Sequence, residues 1–473
     1  MNIMRLQNII LSIIFFGVVS VHASIPYELN KKLQAYPVNS SNYSIHVQEV
    51  NSQTPTVSWN SHTKRTPASV IKILTTYAGV LAFGYDYRWE TEFFHTGYVR
   101  DGVLRGDIYV KASGDPTLAT KHISGIVEKI RRQGIRKILG NIIIDRTIFS
   151  IPSKNNSGFD RNKYSPYNAM PDAMMFNKRK STICVTPRGK SIRINKDVPD
   201  GSYKIVNKLK IVNGSCRRGR SWPKVRINTN SSGRSTIFLS GRLSKRCGTR
   251  KICKVVSMPH RAFYYALKNE LRKVGIKFSG TLKLKEVPKK ATYMFSHKSP
   301  RLEEVISTIA KKSDNLMARQ LMLTLGAKVI STPSNTFKSR KAIEDTLNRY
   351  NILERGTTFI DNGSGLSRVS KLTAQSLNNL LLHAASRDIL RWKNTLSIAG
   401  IDGTIRKRFK YSSVYGRAWM KTGTIRGVAN IAGYVQGSSG QTYVVVVLVN
   451  DKRSSAYGRR IANSVIEWVA DRL

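Results

Sequence analysis

The chain has 473 residues, 41% of them hydrophobic, and carries 79 Lys and Arg against 28 Asp and Glu, a formal net charge of +51. This length suffices for about three domains of roughly 150 residues, and the composition excludes a low-complexity or repeat protein. The charge implies a polyanionic partner or environment, such as nucleic acid, anionic lipid or an anionic cell-wall polymer. The alternative explanation of the charge is a host organism whose exported proteins are all basic. No segment resembles a nucleic-acid-reading motif, so no specific nucleic acid is expected as a partner.

Residues 1–23 have the organisation of a signal peptide. Arg5 gives a positive start, residues 9–21 are apolar, and Ala23 ends a small-x-small cleavage site. The apolar run is too short for a membrane span of about 20 residues, and no later stretch approaches that length. We expect cleavage after Ala23 and export to the periplasm or cell envelope, with a retained N-terminal anchor as the alternative.

An apolar stretch that begins at Pro67 predicts a buried helix to about Gly84, because Pro suits a first helical turn and apolar residues then occur on nearly every side. Ser69 and Lys72, three residues apart, share one face of this helix and come within hydrogen-bonding reach. A desolvated lysine holds its proton weakly, so Lys72 is a candidate base and Ser69 a candidate nucleophile. The same spacing at residues 61–64 lacks apolar flanks and therefore a scaffold.

Two further motifs follow. A Ser-Asp-Asn triplet at 313–315 interrupts an amphipathic helical run, and a Lys-Thr-Gly triplet at 421–423 precedes β-branched segments typical of adjacent strands. Each triplet is common by chance. The order Ser-x-x-Lys, Ser-Asp-Asn, Lys-Thr-Gly is not, and it is the signature set of penicillin-binding proteins and class A β-lactamases.

The motifs supply the groups that acyl transfer to a serine requires. Negative charge develops on the carbonyl oxygen, and the backbone N–H groups of Ser69, at a helix start, and Thr424, on a strand edge, are candidates to stabilise it. Ser313 is a candidate to pass a proton between Lys72 and the leaving amine. The motifs thus predict catalytic roles for Ser69, Lys72 and Ser313.

Four other motif residues are candidates for holding the substrate. The amide of Asn315 suits the backbone of an extended peptide. Lys421 and Thr422 offer a cation and a hydroxyl, the right complement to a C-terminal carboxylate. Gly423 has no side chain, so its strand can approach closely.

A long segment separates the first two motifs, since 240 residues lie between Lys72 and Ser313. This is far too long for a connection within one compact domain, so we expect inserted domains. The first part, residues 97–149, alternates strand, helix and strand. The second part, residues 181–256, consists of short β-like segments broken by Gly and Asn.

The second inserted part contains all the cysteines of the chain and its strongest charge. Residues 181–260 carry 19 Lys and Arg against Asp197 and Asp200 alone. In an exported chain an even number of cysteines predicts two disulfides, with three pairings open. Their spacing does not match a zinc site and no histidines cluster with them, so no metal or cofactor is expected. The four cysteines are Cys184, Cys216, Cys247 and Cys253.

Beyond the three motifs, four stretches carry a specific likeness, at residues 106–118, 166–173, 361–368 and 399–404. With them the chain resembles the serine peptidases of the D-alanyl-D-alanine carboxypeptidase/endopeptidase family, the class C low-molecular-mass penicillin-binding proteins of the penicillin-binding protein 4 type. The likeness covers essentially the whole mature chain. Residues 178–180 and the cysteine-bearing part follow no pattern of that family.

The resemblance implies an α+β fold, a penicillin-recognising domain of the serine transpeptidase/β-lactamase kind with two smaller inserted domains. We expect four units along the chain. They are a signal peptide at 1–23, a catalytic domain at 24–92 and 293–473, an inserted α/β lobe at 93–180 and 256–292, and a basic cysteine-containing β-rich lobe at 181–255.

The implied activity is hydrolysis of D-alanyl peptide bonds in peptidoglycan through an acyl-serine, with β-lactams as inhibitors. Two alternatives remain at this point. A β-lactamase or esterase of the same fold shares Ser69 and Lys72, but the insertion and the absence of an obvious deacylating glutamate favour the peptidase. A non-catalytic basic wall-binding protein has no use for three matched motifs. The sequence does not decide between carboxypeptidase and endopeptidase activity, and it does not give the oligomeric state.

Overall fold

The computed structural model describes residues 24–152, 156–217, 221–231 and 233–473. The signal peptide expected at 1–23 lies outside the described residues. Within them, no helix combines the length and apolar character that a membrane span requires. The α-helices are α1 Tyr27–Gln34, α2 Lys72–Phe83, α3 Ile123–Arg132, α4 Pro259–Lys273, α5 Leu302–Lys312, α6 Asn315–Leu325, α7 Thr336–Asn348, α8 Ala374–Lys393 and α9 Gly458–Arg472.

The strands of the described residues form five sheets. The strands are β1 Tyr43–Glu49, β2 Val57–Trp59, β3 Glu90–His95, β4 Tyr98–Arg100, β5 Val103–Arg105, β6 Ile108–Lys111, β7 Lys137–Ile138, β8 Ile142–Asp145, β9 Ser181–Arg188, β10 Ser191–Lys196, β11 Tyr203–Val212, β12 Lys224–Thr229, β13 Ser235–Ser244, β14 Arg250–Lys254, β15 Lys277–Phe278, β16 Leu282–Leu284, β17 Thr292–Lys298, β18 Ser397–Ile398, β19 Ala418–Ile425, β20 Val428–Gln436 and β21 Thr442–Asn450.

A six-stranded antiparallel sheet, ordered β18-β19-β20-β21-β1-β2, is the centre of the fold. Strand β21 is apolar at nearly every position because the sheet is covered on both faces. Val444, Val446 and Leu448 pack into a core with α2, α5, α6 and α8. The alternate residues Val445 and Val447 pack into a second core with α1 and α9. The period-2 alternation of a strand therefore divides one apolar run between two cores.

Helix α2 lies inside the first of these cores. Its residues 72–79 are buried, and Val80 is partly exposed. The helix packs against α5, α6, α7 and α8. The apolar stretch predicted to form a buried helix does so. A turn of 3-10 helix, Ala68–Ile71, leads into it.

The first part of the insertion forms two sheets, β16-β8-β6-β3-β17 and β15-β7-β5-β4, whose core includes apolar residues of α3 and α4. Strands β3 and β17 pair along their whole lengths. The expected boundaries at 92/93 and 292/293 fall inside these two strands.

The basic lobe is a β-sandwich of two three-stranded sheets, β10-β9-β14 and β11-β13-β12. Apolar side chains from both sheets, among them Ile183, Val185, Ile237 and Leu239, are buried between them. The outer faces are polar because strand residues alternate between core and solvent.

A disulfide, Cys216–Cys247, joins the segment after β11 to the 3-10 turn after β13. The two cysteines are 31 residues apart in sequence. Cys184 and Cys253 are free thiols. The expectation of two disulfides is therefore wrong for this second pair. The register explains why: Cys184 lies opposite Lys251, and Cys253 lies opposite Thr182, so the two cysteines are diagonal neighbours on one face and not direct partners. Diagonal neighbours are about 7–8 Å apart, beyond the reach of a disulfide.

Candidate active site

Ser69 occupies the turn that leads into α2, at the edge of the central sheet. Asn430 of β20 donates to the carbonyl oxygens of Thr66 (2.9 Å) and Pro67 (3.0 Å), which fixes the approach to this turn. Ala68 has a positive φ of 46°, an uncommon conformation for a residue with a side chain. Ser69 is partly exposed whereas residues 67–68 and 70–79 are buried. Its hydroxyl is thus the polar group that this buried segment presents to solvent.

The side chain of Lys72 is fully buried and reaches back to Ser69. Its Nζ lies 2.8 Å from Ser69 Oγ and 2.8 Å from Asn315 Oδ1, and it also donates to the carbonyl oxygen of Ser364. Residues from the first two motifs therefore meet on one nitrogen. The alternative pair does not: Ser61 hydrogen-bonds to His46 Nδ1 at 3.1 Å, and Lys64 is exposed.

The electrostatic setting of Lys72 favours loss of its proton. Burial, followed by the nearby cation of Lys421 and a smaller effect of Arg319, holds the pKa of Lys72 well below its usual value, and Asp314 opposes this. Removing the charge relieves both the desolvation penalty and the repulsion between cations. A neutral Lys72 within hydrogen-bonding distance of Ser69 can accept the hydroxyl proton.

The Ser-Asp-Asn triplet forms the junction between α5 and α6. Ser313 ends α5 in the left-handed conformation with φ 52°, and Asn315 is the first residue of α6. Asp314 caps α6, because its Oδ1 accepts from the N–H groups of Leu316 and Met317, both at 3.1 Å. This geometry directs Ser313 and Asn315 toward the Ser69 site.

Lys421, on β19, contacts the same junction. Its Nζ donates to Ser313 Oγ at 3.0 Å and to the carbonyl oxygen of Thr422 at 2.6 Å. The side chain is fully buried, and burial lowers the pKa of Lys421 to about 7. The hydroxyl of Thr422 donates to Thr404 Oγ1 at 2.9 Å. The junction at 313–315 thus contacts both motif lysines, since Ser313 contacts Lys421 and Asn315 contacts Lys72.

Strand β19 runs directly beside the Ser69 turn, and Gly423 makes this possible. A Cβ at Gly423 would lie 2.7 Å from the carbonyl oxygen of Pro67 and 2.9 Å from the backbone nitrogen of Ser69. Strand β18 pairs with Trp419 and Met420 only, so residues 421–425 have no strand on that side within the described chain. This open edge, which includes the exposed Thr424, can pair with an extended peptide.

Several functional contacts were not predicted. The carbonyl oxygen of Ser364 accepts from Lys72, and its turn packs under Ser69: a Cβ at Gly365, where φ is +74°, would lie 1.8 Å from the carbonyl oxygen of Ala68. The closely spaced glycines of this turn were the available signal. Asn315 Nδ2 also donates to the carbonyl oxygen of Tyr167 at 3.3 Å.

A further unpredicted contact comes from the inserted segment. Lys178 Nζ lies 2.8 Å from Asp314 Oδ2. Burial favours the neutral acid, but the ammonium of Lys178 and the N–H of Met317 together hold the pKa of Asp314 below its usual value. Lys178 belongs to three consecutive non-glycine residues with positive φ, 177–179. It lies in the stretch that followed no family pattern in the sequence.

The family model of D-Ala-D-Ala carboxypeptidase 3 (S13) matches residues 26–472 of this chain. The chain belongs to this family. Its membership confirms the resemblance carried by the three motifs, and it makes the chain a hydrolase of the D-Ala-D-Ala carboxypeptidase kind.

Two curated members of the family illustrate how far the likeness extends. The D-alanyl-D-alanine carboxypeptidase DacB of Haemophilus influenzae is 24% identical over 417 residues, which cover 87% of this chain and 85% of the relative. The D-alanyl-D-alanine carboxypeptidase of Actinomadura sp. strain R39 is 24% identical over 400 residues, 80% of this chain and 72% of the relative.

Solved structures show the same fold. Penicillin-binding protein 4 (dacB) of H. influenzae superposes with a TM-score of 0.78 at 23% identity and covers 93% of this chain and 100% of its own. The predatory peptidoglycan endopeptidase Bd3459 of Bdellovibrio bacteriovorus superposes with a TM-score of 0.51 at 16% identity and covers 90% of this chain and 92% of its own. The same enzyme in complex with an immunity protein gives a TM-score of 0.52. The expected α+β penicillin-recognising fold with inserted lobes is confirmed.

Proposed function

We propose that the chain hydrolyses D-alanyl-D-alanine peptide bonds of peptidoglycan peptides with Ser69 as the acylated nucleophile. The observation that carries this assignment is the 2.8 Å contact between Ser69 Oγ and the buried Lys72 Nζ, next to the open edge of β19. A free strand edge binds an extended peptide and places its carbonyl beside the serine.

Acylation begins when neutral Lys72 accepts the proton of Ser69 and Oγ attacks the carbonyl carbon of the penultimate D-alanine. The backbone N–H groups of Ser69 and Thr424 donate to the oxygen that becomes negative. The C–N bond breaks as the departing amine takes the proton that Lys72 holds, relayed through Ser313, which lies 3.0 Å from Lys421 Nζ. Lys72 is then neutral again and accepts a proton from the water that attacks the acyl-serine. The bond between the acyl carbon and Oγ breaks, and Oγ takes that proton back from Lys72.

Substrate recognition falls to the remaining motif residues in this proposal. Lys421 and Thr422 bind the C-terminal carboxylate, and the arriving anion stabilises the protonated form of Lys421, which burial alone disfavours. Asn315 holds the substrate backbone through an amide that already lies between Lys72 and the Tyr167 carbonyl. Gly423 keeps β19 close enough to the turn for both ends of the substrate to be engaged.

Acylation by a penicillin tests the nucleophile. Mass spectrometry of the digested protein is expected to show an adduct on the peptide that contains Ser69, and none in the Ser69→Ala variant. An adduct on Ser61 in the folded protein contradicts the assignment.

A D,D-endopeptidase activity is the second candidate function. It needs the same chemistry with a cross-linked peptide as substrate, and the neighbours from Bdellovibrio are themselves named endopeptidases. Because β19 has an open edge and its site faces solvent at Ser69 and Thr424, a longer leaving group has room to depart. Parallel digestion of pentapeptide and cross-linked muropeptides, followed by chromatography, measures the ratio of the two activities.

We also infer that the chain acts outside the cytoplasm, in the periplasm or envelope where its substrate is found. The signal-peptide organisation of residues 1–23 supports this. Amino-terminal sequencing of the secreted protein is expected to begin at Ser24, whereas an intact Met1 in a membrane fraction indicates a retained anchor.

A further inference from the structure

The outer face of the β11-β13-β12 sheet is strongly cationic. Side chains that point inward on these strands, such as Leu209, Val225 and Leu239, pack in the sandwich core, and the alternate residues face solvent. The three strands contain no Asp or Glu. Six exposed cations share this outer face and form no ion pair within the described residues. They are Lys204, Lys208, Lys210, Lys224, Arg226 and Arg242.

Strand register arranges these cations around a central track. On the middle strand, Ser240 lies between Lys208 of β11 and Lys224 of β12. Neighbouring strands are about 4.8 Å apart, so the two flanking rows are separated by roughly 10 Å at the backbone. The outward residues of the middle strand between them are Thr236, Phe238, Ser240 and Arg242, and the row on β11 extends from Lys204 to Lys210, or about 20 Å. This face, here called the channel, therefore carries cations on all three of its strands.

A separate cleft lies around the edge of β11, on the side that faces β10. It has a volume of about 450 Å³ and is lined by Lys190, Ile192, Asn207, Leu209, Lys210, Ile211, Asn213 and Lys245. Asn207 and Leu209 lie on the inner side of the sheet, so this cleft is not part of the outer face. Lys210 is the cation that the cleft and the channel share.

We propose that this face binds an anionic glycan strand, a linear polysaccharide that carries carboxylate groups. The length of this face fits one extended polymer, the cations neutralise its charges, and Thr236, Ser240 and Asn228 on the same face offer hydrogen bonds to sugar groups. The proposal goes beyond the reaction at Ser69, since these strands contribute no residue to that site.

Two other polyanions fit less well. Single-stranded nucleic acid is held by aromatic side chains on which bases stack, but Phe238, the aromatic residue of this face, is covered by the Arg226 guanidinium at 4.9 Å from its ring. A lipid bilayer is bound through apolar side chains that enter the interface, and the described residues of the basic lobe expose no large apolar side chain.

A matched pair of variants of the full chain tests the proposal in a Ser69→Ala background, which prevents turnover. The first variant carries Lys208→Gln, Arg226→Gln and Arg242→Gln, one change on each strand of the channel. The second carries three changes of the same kinds on the outer face of the other sheet. They are Arg188→Gln, Arg193→Gln and Lys251→Gln. Thermal melting establishes that both fold.

Each protein is titrated with peptide-free glycan strands from peptidoglycan, with a single-stranded oligonucleotide and with phosphatidylglycerol vesicles. The channel variant is expected to lose roughly 10- to 100-fold in glycan affinity. The slope of the logarithm of its glycan affinity against the logarithm of salt concentration should become shallower by about 2. The matched variant is expected to change less than about threefold. Equal losses in both variants, or unchanged glycan binding in the channel variant, overturn the proposal. The proposal is also overturned if the parent chain binds the oligonucleotide or the vesicles more tightly than the glycan and the channel variant loses that binding. The face is then assigned to that polyanion.

Discussion

Lys178 of the inserted segment places its ammonium 2.8 Å from the carboxylate of Asp314, the middle residue of the second motif. Asp314 also caps α6, so this ion pair connects the insertion to the junction that positions Ser313 and Asn315. The two side chains are only 29% and 18% exposed, so solvent and salt screen this ion pair less than they screen a pair on the surface. The insertion is thereby part of the apparatus that sets the geometry of the site.

Replacing Lys178 is expected to slow acylation. Lys178→Met leaves Asp314 without its cation and loosens the 313–315 junction, so the rate of acylation by penicillin should fall about tenfold. The same change in an Asp314→Asn background should have little further effect, because the partner charge is already gone. Lys312→Met, an exposed neighbour that removes the same charge, is the control. A similar loss in that control argues against a specific role for the pair.

Lys72 is expected to control the pH dependence of acylation. Because its pKa is depressed and the neutral amine is the active form, acylation should decline as the pH falls through that depressed value and the amine becomes protonated. Lys72→Met should reduce the acylation rate by roughly 10²- to 10⁴-fold. Stopped-flow measurement with a chromogenic β-lactam across the pH range reads both effects. Lys64→Met should behave like the parent chain, and an unchanged pH profile in Lys72→Met would falsify the base assignment.

Lys421 is expected to distinguish substrates by their C-terminal carboxylate. Lys421→Ala should lower kcat/KM for D-alanyl-D-alanine peptides far more than for the same peptides capped as amides, because only the acids use the cation. The comparison is made by product chromatography on both series. A parent enzyme that cleaves acids and amides at equal rates contradicts the anchoring role.

Burial of Lys421 should also make folding stability depend on pH. Its pKa is about 7 in the folded chain against an ordinary value of 10.5, so the unfolded chain binds more protons between these values. Stability therefore rises as the pH increases from about 7 to 10.5. Lys421→Met should remove part of this rise in urea unfolding experiments, because the lowered pKa values of Lys72, Lys196 and Lys393 also contribute to it. An identical pH dependence in the variant means that Lys421 is not buried as a titrating cation.

The cysteine pairing predicts two titratable thiols in denatured, unreduced protein, from Cys184 and Cys253. The Cys184→Ser/Cys253→Ser variant should show none and keep the stability of the parent. Cys216→Ser should expose a third thiol and lose about 3 kcal/mol, the effect of opening a loop of this length. Complete absence of thiols in the parent chain would mean that the second pair also forms a disulfide.

Local sequence determined the elements that carry the motifs. The apolar run after Pro67 fixes a buried helix, and the three-residue spacing places Lys72 beside Ser69. The β-branched segments after the Lys-Thr-Gly triplet likewise predicted adjacent strands of the central sheet. Three ordered motifs sufficed to predict the family, because acyl transfer needs a nucleophile, a base and a carboxylate site together.

Tertiary structure decided what lies between those elements. The carbonyl oxygen of Ser364 and the ammonium of Lys178 belong to segments far from the motifs in sequence. The glycines beside Ser364 indicate a tight turn, but only the folded chain brings that turn and Lys178 to the motifs. Disulfide pairing depends on strand register, which separates Cys184 from Cys253 by one diagonal step. The sequence revealed the charge of the basic lobe, but only the pairing of β11, β13 and β12 gathers six cations on one face, since neighbours across a sheet are set by long-range hydrogen bonds and not by spacing along the chain.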